Sequence, residues 1–294
     1  MKTIKKKERC IILIPTYNDW VSLGKLLREI NKNIKKLKRE IEILIVNDAS
    51  TTELNIIKTK LKNIKKISMI NLIENSGSQL AIATGLNFIR KKNIKSDILV
   101  LDSDGEDDPK KISNLLGLLE THRDNVIVAS RSKRQENFLL KFLNIIRLNL
   151  TYLLTGKMIN FGNFSCFDTK ILNKISKKKE LNLSFSGTIQ KYCHIKKIPI
   201  QKNKRYYGVS KVSINFLILY SLQIISIFKF EVLKRSIVLL MLTLFLIILF
   251  QVNINFLALT LVFFLFNSFI FYINYKAKNI DYLHLLKSKI IRIK

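Results

Sequence analysis

Val100-Leu101-Asp102-Ser103-Asp104-Gly105-Glu106-Asp107-Asp108-Pro109 is the stretch that decides how this 294-residue chain is organised. An apolar run over 98–101 leads into it, and Pro109 is suited to open a helix, whose first turn has no use for the missing N–H. Asp102, Asp104 and Glu106 therefore fall at the C-terminal mouth of a buried strand, where open α/β sheets bind ligands. Three carboxylates two residues apart, on a turn loosened by Gly105, offer oxygen ligands to a hard cation such as Mg2+ or Mn2+ that holds nucleotide phosphates. The plainer alternative is a solvated acidic turn at a helix N-terminus, where carboxylates are also favoured.

The residues around this stretch repeat one pattern. Strands are expected over 10–15, 41–46, 67–72, 98–101 and 126–130, each a short apolar run of the kind covered on both faces. Helices are expected over 21–34, 54–61, from after the 75–79 turn through Arg90, and over 109–121, from apolar residues at helical spacing. Strand–helix alternation of this length predicts an α/β fold with a mostly parallel sheet flanked by helices. The chain has no GxGxxG after its first strand and no GxxxxGK[ST], which excludes a dinucleotide dehydrogenase and a P-loop NTPase on motif grounds. Polar residues gather instead at successive strand ends: Thr16 to Asp19, Asn47 and Asp48, and Asp102 to Glu106.

Lys and Arg number 51 against 21 Asp and Glu, a formal net charge of +30, which favours an anionic partner such as a membrane surface or a phosphorylated substrate. No zinc-finger spacing or aromatic-and-basic RNA-binding motif accompanies the charge, so no nucleic-acid partner is expected. Cys10, Cys166 and Cys193 are far apart and read as reduced thiols of a cytosolic domain. The N-terminal residues are charged and lack the apolar core of a signal peptide.

Several motifs, in order, resemble those of family 2 glycosyltransferases with the GT-A fold. Pro15-Thr16-Tyr17-Asn18-Asp19 resembles the family's PTYN[ED] opening, Val46 to Thr51 its VDDGSTD strand end, and Asn75 to Gly85 its NxGxxxAxxxG helix start. Asp102-Ser103-Asp104 matches its DxD motif. Gly105 to Pro109, Ala129-Ser130-Arg131, the Asn160–Ser165 segment and Arg205 to Lys211 resemble motifs of the polyprenyl-phosphate group, which includes dolichol-phosphate mannosyltransferase and bactoprenol glucosyltransferase. The resemblance covers roughly residues 10–230. It implies nucleotide contacts by Pro15, Tyr17, Asp19, Asn47, Asp48, Gly77, Gln79 and Asp102, and a metal held by Asp102, Asp104 and Glu106. It further implies catalytic roles for Asp104, Arg131 and Asn163, and an acceptor phosphate met by Arg131, Arg205, Ser210 and Lys211, since Arg offers planar paired donors to phosphate. The chain departs from the pattern at Asn47, at Ser78 and at Asn163, where aspartate, lysine and aspartate are common.

The departure at 163 bears on the acceptor. A hydroxyl acceptor needs a base to take its proton, whereas a lipid phosphate is already ionised at neutral pH and attacks without one. The expected reaction is metal-dependent, inverting transfer from a UDP- or GDP-sugar to a polyprenyl (undecaprenyl) phosphate. The alternatives are transfer to a lipid-linked glycan hydroxyl, or a non-catalytic nucleotide-binding scaffold.

The C-terminal third is of another kind. Residues 212–231 mix apolar residues with Ser and Asn and predict an amphipathic helix at the bilayer interface. Two apolar runs follow within 232–278, at about 234–253 and 255–275, each near the length needed to span a bilayer. Basic residues flank the outer ends of this hairpin and none lies in its turn, which predicts both ends in the cytoplasm. The expected organisation is a catalytic domain over 1–211 on the inner face of the cytoplasmic membrane, the interfacial helix, a transmembrane hairpin, and a basic tail over 279–294. Membrane lipid is thus an expected partner, and the hairpin's lipid-facing surface leaves room for a homo-oligomer.

Overall fold

The computed structural model describes residues 8–54, 61–131, 138–208, 214–251, 255–276, 282, 285–286 and 291–293. Its chain divides into two compact units: residues 1–134, 161–211 and 281–294, and residues 135–160 and 212–280.

The first unit is built on an eight-stranded sheet. Its elements in order are β1 (Arg9–Thr16), α1 (Trp20–Asn33), β2 (Glu40–Asn47), β3 (Ile64–Asn71), α2 (Ser78–Lys91), β4 (Asp97–Val100), α3 (Ile112–Thr121) and β5 (Asn125–Arg131). After the excursion into the second unit come β6 (Phe161–Phe167), α5 (Thr169–Ile175), α6 (Phe185–Tyr192), β7 (His194–Ile200) and β8 (Ile291–Arg292). The strand order is β7-β5-β6-β4-β1-β2-β3-β8. β1 pairs in parallel with β2 and β4, and β2 with β3, so the strands read as continuous apolar runs form the sheet's centre. β6 and β8 run antiparallel to their neighbours, which makes the sheet mixed. The expected α/β architecture of a mostly parallel sheet with flanking helices is what the structure shows. The helix expected at 54–61 falls largely outside the described residues.

Burial explains the order. Ile12, Leu13, Ile14, Ile45, Leu99 and Val100 are fully enclosed, each burial worth about 1.5–3 kcal/mol. α2 lies close against this centre because Gly85 has no side chain: a Cβ there would come within 2.5 Å of Leu13 Cδ1 and 2.8 Å of Val46 Cγ2. Sequence-adjacent β1, β2 and β3 extend in one direction while β4 sits on the other side of β1. The β1/β4 boundary is therefore the topological switch point, where the crevice of an open α/β sheet opens.

The other ends of the same strands are tied by charge. Arg39, only 9% exposed, pairs with Asp97 at the start of β4, with Glu8 at 2.7 Å and with Glu120 at 2.6 Å. Arg123 reaches the second oxygen of Asp97 at 2.6 Å. Two guanidiniums sharing one buried carboxylate stitch the N-terminal edge of β4 to the segments before β1, β2 and β5.

Described residues of the basic tail expected over 279–294 pair with the first unit. Ile291 and Arg292 pair with Met69 and Ser68 of β3, Leu286 bridges to Leu72, and the Tyr282 hydroxyl donates to Asn182 Oδ1. The exposed backbone of the edge strand β3 gives these residues a hydrogen-bonding partner that charge counting does not reveal.

The second unit contains α4 (Phe138–Thr155), α7 (Ile214–Ile227), α8 (Lys229–Leu249) and α9 (Phe256–Lys276). Its small core is Leu154, Ile225, Val232 and Ile270. Gly156, at φ +71°, terminates α4, where Arg235 Nη1 donates to the Leu153 carbonyl at 3.2 Å. Hydrophobic periodicity does not single out α4, which groups with α7, α8 and α9 in this unit. α8 and α9, 21 residues each, are long and apolar enough to cross a membrane, and most of their apolar side chains are exposed.

Candidate active site

β1 ends in Thr16 and runs into Asn18, which adopts φ +48°, a conformation Asn tolerates better than most residues. From there its side chain ties the first two strand ends together. Asn18 Oδ1 accepts from Thr51 N at 2.8 Å, Thr52 N at 3.0 Å and Thr52 Oγ1 at 3.0 Å, while Asn18 N donates to Ser50 Oγ at 2.9 Å. The motif residue between the named candidates Tyr17 and Asp19 is thus the one that sets their backbone. Pro15 is buried and Tyr17 half-buried.

At the end of β2, Asn47 Nδ2 donates to Asn71 Oδ1 at 2.9 Å and Asn47 Oδ1 accepts from Ser50 N at 3.0 Å. Asp48 is buried, and its two carboxylate oxygens accept the backbone amides of Ser76 and Gly77, each at 2.8 Å. Burial raises its pKa, an effect those two amides oppose. Asp48, expected at the nucleotide, therefore anchors the loop that leads into α2. Ser78, the first residue of α2, is exposed.

The DxD turn follows β4. Gly105 takes φ +82° and faces the Tyr206 ring, which a Cβ would meet at 2.3 Å. The segment after β7 lies along this turn: Tyr206 N donates to Asp104 O and Asn203 N to Glu106 O, both at 2.9 Å. It brings two cations. Arg205 Nη2 donates to Asp19 Oδ2 at 2.8 Å with its Nη1 3.4 Å from Asp104 Oδ2, and Lys202 Nζ pairs with Glu106 Oε2. Arg205 thus spans the ends of β1 and β4 across the switch point. The Asp104 carboxyl is held above the usual carboxylate range, first by burial and then by the negative charges of Asp102 and Glu106. Asp107 is pushed up in the same way, by burial and then Asp102, and accepts from Asp102 N at 3.3 Å. Asp108 instead caps the single turn opened by Pro109, accepting from Lys110 N at 3.0 Å.

Asn163, on β6, completes the crevice. Its Nδ2 donates to Asp102 Oδ1 at 2.9 Å and its Oδ1 accepts from Gln79 Nε2 at 3.2 Å, while Gln79 Oε1 accepts from Phe185 N at 2.8 Å. A chain of amides thus runs from the start of α6 through α2 and β6 to the DxD carboxylate. A concavity opens beside it, lined in part by Asp102, Glu106, Asp107, Asn163, Gln201 and Lys202.

The structure brings together Asp19, Gln79, Asp102, Asp104, Glu106, Asn163 and Arg205. Arg131 ends β5, its side chain outside the described part, and Ser210 and Lys211 lie outside the described residues. Lys202 was missed by sequence reading, because a lone lysine among 51 basic residues carries no signal until the fold sets it against Glu106.

The expected metal set is Asp102, Asp104 and Glu106. Among the described residues, no three His, Cys, Asp or Glu side chains converge as metal ligands. Glu106 has turned to Lys202, since a carboxylate crowded by others gains from the nearest cation. The donor set still fits a divalent ion. Asp102 and Asp104 offer carboxylate oxygens at the mouth of the crevice, and Mg2+-type sites commonly use one or two carboxylates together with substrate phosphates.

The model of glycosyl transferase family 2 matches residues 11–180, more than half of the chain. The chain belongs to that family. It is 27% identical over 184 residues to the uncharacterized glycosyltransferase sll0501 of Synechocystis sp., covering 60% of this chain and 55% of that protein. It is 28% identical over 169 residues to the undecaprenyl-phosphate 4-deoxy-4-formamido-L-arabinose transferase of Proteus mirabilis, covering 56% and 49%. The chain thus spans about half the length of these curated relatives. Among solved structures, mannosyl-3-phosphoglycerate synthase from Rubrobacter xylanophilus superposes with a TM-score of 0.51 at 14% identity, covering 75% of this chain and 72% of the other. The family's GT-A sheet accounts for the β1/β4 crevice and the placement of the DxD turn.

Proposed function

We propose that the protein is a membrane-anchored glycosyltransferase that moves a sugar, with inversion, from a UDP- or GDP-sugar to a polyprenyl phosphate. The observation that carries this reading is the state of Asn163. Both ends of its amide are engaged, the carbonyl by Gln79 and the NH2 by Asp102, at the position where the family often has an aspartate. An amide there takes up no proton, so the acceptor has to arrive already ionised, as a phosphate does. The Proteus mirabilis relative's name points to the same acceptor class.

Within this reading Asp19, Asn47 and the β1–β2 loop receive the nucleoside, and the N-terminal turn of α2, Gly77 to Gln79, receives the diphosphate or sugar. Asp102 and Asp104 are the residues to hold Mg2+ or Mn2+, which when bound offsets charge on the departing diphosphate. Asn163 orients Asp102, and Arg205 holds Asp19 and Asp104 at a fixed separation and presents guanidinium N–H groups beside the acceptor phosphate. Arg131, Ser210 and Lys211 complete the acceptor side. The two long apolar helices serve as the membrane anchor. Described residues on both sides of them, up to 208 and from 282, belong to one compact unit, which supports an even number of crossings between.

The test is direct. Purified protein in detergent is given polyprenyl phosphate, Mn2+ and a panel of labelled UDP- and GDP-sugars, and a labelled lipid-phosphate product is expected with one donor. Transfer only to a hydroxyl acceptor, with no lipid-phosphate product, would refute the acceptor assignment.

A further inference from the structure

We propose that Lys202 is an exchangeable counter-ion of the metal site: it holds Glu106 until a divalent cation arrives, is displaced, and then binds the diphosphate of the nucleotide. This rests on the reading of the crevice as a donor site. Lys202 and Glu106 are paired with side chains only 21% and 29% exposed, so their contact is partly shielded from water and salt. Glu106 is two residues beyond Asp104, whose carboxyl feels the charges of both Asp102 and Glu106. A dication placed among these groups attracts Glu106 with twice the Coulomb energy of an ammonium at equal distance, and it attracts Asp102 and Asp104 at the same time. The exchange therefore runs in one direction once the metal is present.

Displacement does not send Lys202 away. The backbone bonds from Asn203 N to Glu106 O and from Tyr206 N to Asp104 O keep its segment against the DxD turn. A lysine ammonium on a flexible four-carbon stem then swings within reach of phosphate oxygens beside the metal. Arg205 on the same segment behaves differently, because its planar guanidinium reaches two carboxylates from separate strands and stays as a strut. Lys202 in the metal-free protein thus cancels one carboxylate charge, and in the metal-bound protein adds a positive charge where the diphosphate sits.

The role predicts effects of opposite sign from one substitution. Mn2+ binding is measured by electron paramagnetic resonance of free Mn2+, and UDP and GDP binding by calorimetry at saturating Mn2+, all on the full chain in detergent. K202M should bind Mn2+ alone at least threefold more tightly and the preferred nucleotide about tenfold more weakly, while K202R stays within twofold of wild type for both. A K202M that weakens both ligands, or changes neither, overturns the proposal and leaves the donor-site reading standing. Absence of Mn2+ and nucleotide binding in wild type itself refutes that reading and the proposal with it. Should K202M fail to fold, acetylation of wild-type lysines followed by mass spectrometry serves instead. Lys202 labelling should rise at least threefold on adding Mn2+ and fall again with nucleotide, and labelling unmoved by Mn2+ overturns the exchange.

Discussion

Asp104 is the residue on which the site's charge converges, half-buried at the mouth of β4, facing Arg205, and held above the usual carboxylate range by desolvation and by Asp102 and Glu106. Asp104→Asn keeps the shape and removes the charge proposed to hold the metal. Transfer is expected to fall by about two to three orders of magnitude, as when a preorganised electrostatic group is lost, and is read as initial rate with saturating donor. Ala49 offers a test of the opposite kind. It adopts φ +54° in the β2–β3 loop, a conformation that costs an ordinary residue about 1–2 kcal/mol, at a motif position where the family carries glycine. Ala49→Gly should relieve that cost, less the entropy glycine loses on folding, and raise stability by about 0.5–1 kcal/mol in a thermal melt. Activity should be unchanged, because Asn18 still fixes the loop through Thr51 and Thr52.

At the scale of elements, the sheet is held from two edges by different means. Its C-terminal edge carries the site, with side chains placed by loop-to-loop bonds such as Asn18 to Thr51 and Asp48 to Gly77. Its N-terminal edge carries the Arg39–Asp97–Arg123 cluster, far along the strands from any chemistry. Asp97→Ala leaves two guanidiniums short of a buried partner, although Arg39 keeps Glu8 and Glu120. The expected cost is about 3 kcal/mol, at the low end for breaking a buried pair, measured by urea unfolding in detergent. Metal affinity of the folded protein should stay as in wild type, since the cluster and the DxD turn occupy opposite ends of β4.

The whole molecule combines a sheet-based unit with a helical one, and the chain passes between them more than once. Leu286, Ile291 and Arg292 pair with Leu72, Met69 and Ser68, and under the proposed membrane anchoring such pairing needs both partners on one side of the membrane. In intact cells, a cysteine replacing Gln251 between α8 and α9 should react with an impermeant maleimide, and one replacing Lys276 should react only after permeabilisation. The reverse pattern, or equal labelling of both, would refute the two-crossing arrangement. Native thiols interfere little: Cys10 and Cys166 are enclosed, and burial pushes all three thiols up, to about 11 for Cys193.

The amino-acid sequence by itself determined the central strands, the helices α1, α2 and α3, and the place of the DxD turn at the end of β4. Those features are written in local apolar runs, in turn residues and in motifs of a few adjacent positions. It also determined the two long apolar helices, since crossing length is a property of one contiguous segment. Only the tertiary structure decided which charges meet. Lys202 opposes Glu106 across 96 residues, Arg205 opposes Asp19 across 186, and Gln79 meets Asn163 across 84. Such pairings depend on strand order and on the antiparallel insertion of β6 between β4 and β5, for which no local pattern codes. For the same reason the acidic turn reads from sequence as a ready metal cage, while in the fold one of its three carboxylates is held by a lysine from beyond β7.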